Sequence, residues 1–258
     1  MTSMTPQEIM SILDEHAKWL RNPKSGKQAN FKHADFTGAN FEGAKLQKSC
    51  LSGCKLSRTI FRNANLISAD LYAADLTKAD LTNCLLIRAD LRGAELKGAR
   101  LNGANLQEAD FRGGSLILSG GETITFPSSD LSGAEMENVV AEKANLNGAN
   151  LSGATLNNAN FSFSQLRGAN LSNAQLKNAG FKGSDMSDCN LANADLSGAN
   201  LSDVNLSGAN VDGCNFENAD MTGANIENVN FSDAKAVGID IVEEAEATPL
   251  PPNLQALL

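Results

Sequence analysis

Two histidines and five cysteines are the side chains of this 258-residue chain around which an activated nucleophile or a zinc site would first be sought. A Ser-His-Asp or Cys-His arrangement needs an imidazole beside a hydroxyl or thiol, with a third group to orient it. His16 lies in a short amphipathic stretch and His33 in a polar one, and neither has a Ser, Cys and Asp set arranged around it. Cys50 and Cys54 are four apart, while Cys84, Cys189 and Cys214 stand alone, which is not the paired spacing of a zinc site. No phosphate-cradling glycine motif of the GxxxxGK[ST] or GxGxxG type occurs. These residues predict a protein that is not an enzyme and holds no cofactor or metal. What remains is electrostatics, because 30 Asp and Glu against 21 Lys and Arg leave a net charge of −9.

That charge is uneven. Residues 1–113 carry 16 basic and 12 acidic side chains, and residues 114–258 carry 5 and 18. Such asymmetry points to a partner-binding surface. The start lacks a basic segment leading into an apolar run, and no run approaches the ~20 apolar residues that cross a bilayer, so the expected location is the cytoplasm, with no membrane contact.

The elements that must carry this surface follow from a period of five. From Phe31 to Phe231, 39 of the 41 positions whose numbers end in 1 or 6 hold Leu, Phe, Met, Ile or Val; Gly121 and Ala141 are the exceptions. Two places earlier the residue is small, in 36 of 41 cases Ala, Ser, Cys or Gly. Between them stands Asn or Asp, and the fifth place favours Gly or Asn. Neither a long strand nor a helix has this period. A very short strand followed by a corner does: the small and large residues, two apart, point inward. The fifth residue turns the corner, where Gly and Asn tolerate unusual backbone angles.

The A(N/D)LxG pattern, as in "ANLSGANLSDVNLSGAN", resembles the pentapeptide-repeat family over roughly residues 29–235. The resemblance implies an all-β fold, a right-handed quadrilateral β-helix with four pentapeptides per coil. Forty-one positions then give about ten coils and a rod about 50 Å long at ~4.8 Å per coil. Some members of the family mimic DNA and bind gyrase, protecting it from quinolones; in these, loops that interrupt the coils contribute, and two copies join at their C-terminal ends.

An open coil end exposes unpaired backbone and needs covering. Thr5, Pro6 and Glu8 read as N-cap, first helical residue and capping-box partner, and Ile9, Ile12, Leu13, His16, Trp19 and Leu20 share one face. Residues 5–22 are therefore expected to form a helix over the first coil, within an N-terminal cap and linker of residues 1–28. Residues 236–258 form an acidic, proline-kinked tail that fits a C-terminal cap, a subunit contact or a free end.

Stepping 20 residues reads the stacked columns. One outward column runs Asn30, Cys50, Asp70, Asp90, Asp110, Asp130, Asn150 and on to Asn230, provided the interruption shifts no face. Asn ladders bond along a stack. The four Asp suggest a cation site, but Arg92 and Arg112 answer them more simply. Four of the five cysteines take the small inward place, where they act as core filler.

The pattern fails once, near 114–129. "SLILSGGETITF" reads as a hairpin with a Gly-Gly turn. Either it is a flap that absorbed an insertion, or it is a partner contact carrying Ile117, Leu118, Glu122, Ile124 and Phe126. The acidic half adds Asp185, Asp188, Asp195, Asp203, Asp212, Glu217 and Asp220 as candidate contacts. Residues 129–235 carry 13 acidic and 5 basic side chains over about 25 Å, about half the charge density of duplex DNA. The leading reading is a protein-interaction scaffold whose partner is a protein, with no direct nucleic-acid contact. The alternative is a gyrase-binding DNA mimic, and a homodimer through the C-terminal end is compatible with either.

Overall fold

The computed structural model describes residues 4–117 and 123–238. Each described pentapeptide of the coil, apart from the one that leads into the interruption at Phe111, makes one turn. The N–H of the small residue donates to the carbonyl of the large residue three places earlier, as from Ala34 to Phe31 (2.9 Å). The corner residue between them is left-handed, as a type II turn requires. Glycine and asparagine hold many corners, but Lys48 (φ 59°), Ala73 (52°) and Phe163 (60°) take the same conformation. The corner geometry is imposed by the stack, since an L side chain has no preference for it.

Stacking follows from the straight edges. The N–H of Phe31 donates to the Cys50 carbonyl (2.8 Å), and the N–H of Cys50 donates to the Ala29 carbonyl (3.0 Å). One parallel bridge per edge results: Asn30–Cys50, Asp35–Lys55, Asn40–Ile60 and Lys45–Asn65. Four bridges close one coil of 20 residues, so the chain has four sides.

The large and small residues fill the interior, and Leu46, Leu101, Leu171 and Ala99 are wholly buried. Aromatic residues stack from coil to coil where they coincide, as Phe161 does on Phe181 (centroids 5.3 Å apart). At 139 and 141 the sizes are exchanged, with Val139 at the small site and Ala141 at the large one, and both are buried. Polar residues at the small site satisfy themselves against backbone. The hydroxyl of Thr59 donates to the Phe36 carbonyl (2.8 Å), and the thiols of Cys54, Cys84, Cys189 and Cys214 donate likewise to Phe31, Phe61, Leu166 and Leu191. Burial pushes these four thiols up to about 11 for Cys54 and about 12 for the others, so they stay protonated and unreactive.

Helix α1 spans Pro6–Arg21, with Thr5 as N-cap and the full capping box to Glu8. Ile9, Ile12 and Leu13 pack on the core. His16 is buried, stacks on Trp19 (5.6 Å), and accepts the Ala29 N–H at Nδ1 (3.0 Å), which satisfies a backbone donor of the first coil. The linker turns back at Gly26 (φ 85°), where any side chain would collide with Glu15 and Lys18.

The column read from the sequence needs one correction. Asp110 bridges Asn145 and Glu95 bridges Asp130, a step of 35 residues in place of 20. The interruption therefore adds fifteen residues, three pentapeptides, that leave the coil altogether. Fifteen is a multiple of five but not of twenty, so the phase survives while the side changes. Asp70, Asp90 and Asp110 stack on one side, continued by Asn145, Gln165 and Asp185. Asp130 lies on the next side, over Glu95, and begins the ladder of Asn150, Asn170 and Asn190.

Candidate interaction surface

Within the interruption, β1 (Gly114–Ile117) pairs antiparallel with β2 (Thr123–Phe126). Its base is fastened at several points. The Gly113 N–H donates to the Ser128 hydroxyl (3.1 Å), which in turn donates to the Asn147 carbonyl (3.0 Å). The Ser129 N–H donates to the Phe111 carbonyl (2.9 Å) and its hydroxyl to that of Leu91 (2.6 Å), so the coil closes beneath the hairpin as if nothing had been inserted.

Phe126 stands in the register of large core residues, yet it lies outside the coil. Its ring meets Tyr72 edge to face (centroids 5.4 Å, 79°). A Cβ at Gly93 would come within 2.7 Å of Phe126, and one at Gly114 within 2.5 Å of Tyr72. Only glycines let the hairpin base lie so close to the coil. The Arg92 guanidinium sits over Tyr72 (5.4 Å), donates to both Asp90 oxygens (2.9 and 2.6 Å) and reaches Asp110 (3.8 Å). Arg112 also holds Asp110 (2.8 Å). Burial would raise the Asp110 carboxyl, but bonds from Arg112 and the charges of Arg112 and Arg92 together hold it below the usual range. Asp90 and Asp110 are thus neutralised by arginine, while Asp70 accepts from the Cys50 thiol (3.4 Å). Among the described residues no group of three His, Cys, Asp or Glu could hold a metal ion.

Of the hairpin residues singled out from the sequence, Phe126 is the anchor and is half-buried. Ile117 and Ile124 belong to the paired strands, and Leu118 and Glu122 lie outside the described residues. Sequence reasoning placed Arg92 beside the aspartates but missed Tyr72 and the contact between the two. The chain's single tyrosine and an arginine 20 residues on were the available signal, since that spacing puts them on adjacent coils.

The seven acidic residues are not gathered into one patch. Asp185 and Asp188 occupy the side that carries Asp110, Asp212 the next, Asp195 and Glu217 the third, and Asp220 the fourth, with Asp203 at its corner. Three are paired with cations: Asp188 with Arg167 (3.3 Å), Asp195 with Lys177 (3.3 Å), Asp203 with Lys182 (3.9 Å). Asp185, Asp195 and Asp220 each accept the N–H two residues on, at 3.1, 3.2 and 3.0 Å. That bond explains why Asn or Asp recurs at this place: the side chain fixes the start of the turn.

Parallel coils stacked on four sides define a four-sided β-helix. The sequence profile described as Pentapeptide repeats matches in several overlapping copies that together cover residues 27–113 and 125–235. The chain belongs to the pentapeptide-repeat family. Among solved structures it is similar to a trypsin-treated variant of QnrB1, a plasmid-mediated fluoroquinolone resistance protein: 18% identity, covering 84% of this chain and 92% of that one, TM-score 0.50. It is also similar to HetL, a pentapeptide repeat protein involved in heterocyst differentiation regulation from the cyanobacterium Nostoc sp. strain PCC 7120 (29% identity, 90% and 97% covered, TM-score 0.27). A third is Rfr23 from the cyanobacterium Cyanothece 51142 (26%, 58% and 88%, TM-score 0.38). No curated protein matches the sequence.

Proposed function

We propose that this chain is a cytoplasmic, non-enzymatic protein-interaction scaffold: a rod of about ten coils capped by α1, which presents the 114–126 hairpin to a protein partner. One observation carries the reading. Fifteen residues have been added without disturbing the stacking, and their base is locked by Tyr72, Phe126, Arg92 and two glycines. A flap that merely absorbed an insertion needs no such fastening, whereas a contact element gains from being held in one orientation. The test is capture from a lysate of the source cell on immobilised protein. Phe126→Ser should release the hairpin base, leave the melting of the rod unchanged and remove the captured partner. An identical set of captured proteins would sink the hairpin reading.

A second reading is a DNA mimic acting on gyrase, favoured by the net −8 of residues 129–235. It ranks below the first because three of the seven carboxylates already face Lys or Arg within 4 Å. A supercoiling assay, with and without a quinolone, separates the two. Inhibition or rescue that fades with added salt would favour mimicry; no effect at micromolar protein would leave the scaffold.

A further inference from the structure

One edge of the rod carries residues that the rod itself does not use. It is the corner column that follows the side bearing Lys45, Asn65 and Leu85. From the N-terminal end it reads Lys48, Ser68, Arg88, Glu108, Lys143, Phe163, Gly183, Asp203. Lys48, Arg88, Glu108 and Lys143 are exposed, and none has an ion-pair partner within 4 Å among the described residues. Asp203 has only the long contact to Lys182. Phe163 is 56% exposed and left-handed (φ 60°), a conformation that a bulky side chain resists. Its ring lies against Gly183, where a Cβ would come within 2.9 Å, so one ring face is backed and the other is free.

The column is complementary to its own reverse. Read backwards, Asp203 falls opposite Lys48, Gly183 opposite Ser68, Phe163 opposite Arg88, and Lys143 opposite Glu108. A two-fold axis perpendicular to the rod, midway between Glu108 and Lys143, produces this superposition, and each pairing then occurs twice. The pairs are two attractive charge pairs, one guanidinium over an aromatic face and one small residue against glycine. Leu85 (39% exposed) and Val140 (37%) stand three residues before Arg88 and Lys143 on the adjoining side. Among the described residues, the other exposed large apolar side chains are Met10 on α1, Phe163 itself and Val237 near the C-terminal end of the rod. Eight coils at ~4.8 Å spacing give a contact strip about 34 Å long.

We infer that this chain pairs with a second copy of itself, side by side and antiparallel, along the edge from Lys48 to Asp203. The pairing is lateral, so it uses neither end of the rod. The hairpin emerges one corner further round, at Gly113, and stays free for a partner. Two copies then present two hairpins related by the two-fold axis.

Sedimentation velocity of the full chain at roughly 50 µM and low salt should show the mass of two chains. Glu108→Lys or Lys143→Glu alone sets like charges against each other across the axis and should weaken pairing about tenfold or more. The double reversal, E108K with K143E, restores every pair and should recover affinity to within about threefold. Lysine already occupies corners at 48, 78 and 143, and glutamate the corner at 108, so these variants suit the backbone of the fold. Phe163→Asn puts a residue suited to the corner in place of one that is not. It should leave the melting temperature unchanged or raised while weakening pairing about tenfold, which no structural role for the ring would do. A monomer under these conditions overturns the inference. So does a dimer unmoved by the single reversals, as an end-to-end dimer would be, or one that the double reversal fails to restore.

Discussion

The two halves of the rod share one interior and settle their outer surfaces differently. Before the hairpin the outward positions are held by charge: Arg92 and Arg112 bind Asp90 and Asp110, Arg62 binds Asp80 (2.8 Å), and Lys55 approaches Asp35 (3.8 Å). After it side-chain amides join the columns, beside the exposed ion pairs of Arg167, Lys177 and Lys182. Asn150 donates to Asp130 (3.0 Å), Asn170 to Asn150 (3.3 Å) and Asn190 to Asn170 (3.2 Å), while Asn205 and Asn225 extend the column of Asp185. The inward columns of Leu, Phe and Ala run through both halves unchanged. The core therefore fixes the fold, and the outer place of each pentapeptide has only to satisfy its neighbours on the stack. Ion pairs do this in a way that salt screens, whereas amide ladders do it without net charge.

The largest effect should also be the one that fails to tell the halves apart. Leu101→Ala and Leu171→Ala each remove a wholly buried side chain and should each destabilise by about 3 kcal/mol. Urea unfolding of both variants checks this. A difference well beyond 1 kcal/mol would mean that the two interiors are not equivalent after all.

The outer surfaces should separate under salt. Asn170 accepts the Ser172 N–H (3.1 Å) and the Asn190 amide, and donates to Asn150, so Asn170→Ala should destabilise by about 2 kcal/mol. That loss should be the same at low and high NaCl. Arg92→Met breaks the Asp90 and Asp110 pairs and the contact over Tyr72, and should destabilise by about 1 kcal/mol at low salt. About half of that loss should vanish in 0.5 M NaCl. If both variants respond to salt alike, the distinction between the halves is wrong.

Acid should act first at neither half but at α1. Burial lowers the pKa of His16 below its usual 6.5, and its Nδ1 must stay unprotonated to accept the Ala29 N–H. The unfolded chain binds the proton more readily, so this contribution is complete above pH 6.5 and is lost as pH falls from there. The lowered carboxyls of Asp80, Asp110 and Asp195 withdraw their support only as pH falls through 3.8 and below. Thermal melts between pH 7.5 and 5 should therefore fall with acid in the wild-type chain. They should stay flat in His16→Asn, which keeps an acceptor and cannot take the proton. Equal slopes would rule out His16 as the source.

Most of the architecture is legible in the sequence because one residue in five is large and one is small, which leaves only a short edge and a corner to build. Thr5, Pro6 and Glu8 mark α1 for the same reason: capping is local chemistry. The sides are less legible. Phase repeats every five residues but a coil closes every twenty, so a fifteen-residue insertion keeps the pattern in step and moves Asp130 off the Asp110 column. Phe126 shows the same trap, sitting in register while packing outside on Tyr72. The surface site depends on which coils are neighbours, and that information appears only once the step of 35 residues is known.

The smallest effects should come from charges that stand alone at corners. Asp188 is left-handed (φ 57°) and meets Arg167 at 3.3 Å, with the two side chains 58% and 68% exposed. An exposed pair of this kind contributes a few tenths of a kcal/mol, and asparagine suits the left-handed corner at least as well as aspartate. Asp188→Asn should therefore shift the melting temperature by no more than about 1 °C. Asp110→Asn is the same chemical change in the first half, but it strips two arginines of a partly buried partner and should lower the melting temperature by several degrees. If the two substitutions shift the melt equally, charge matters no more before the hairpin than after it, and the contrast between the halves reduces to composition.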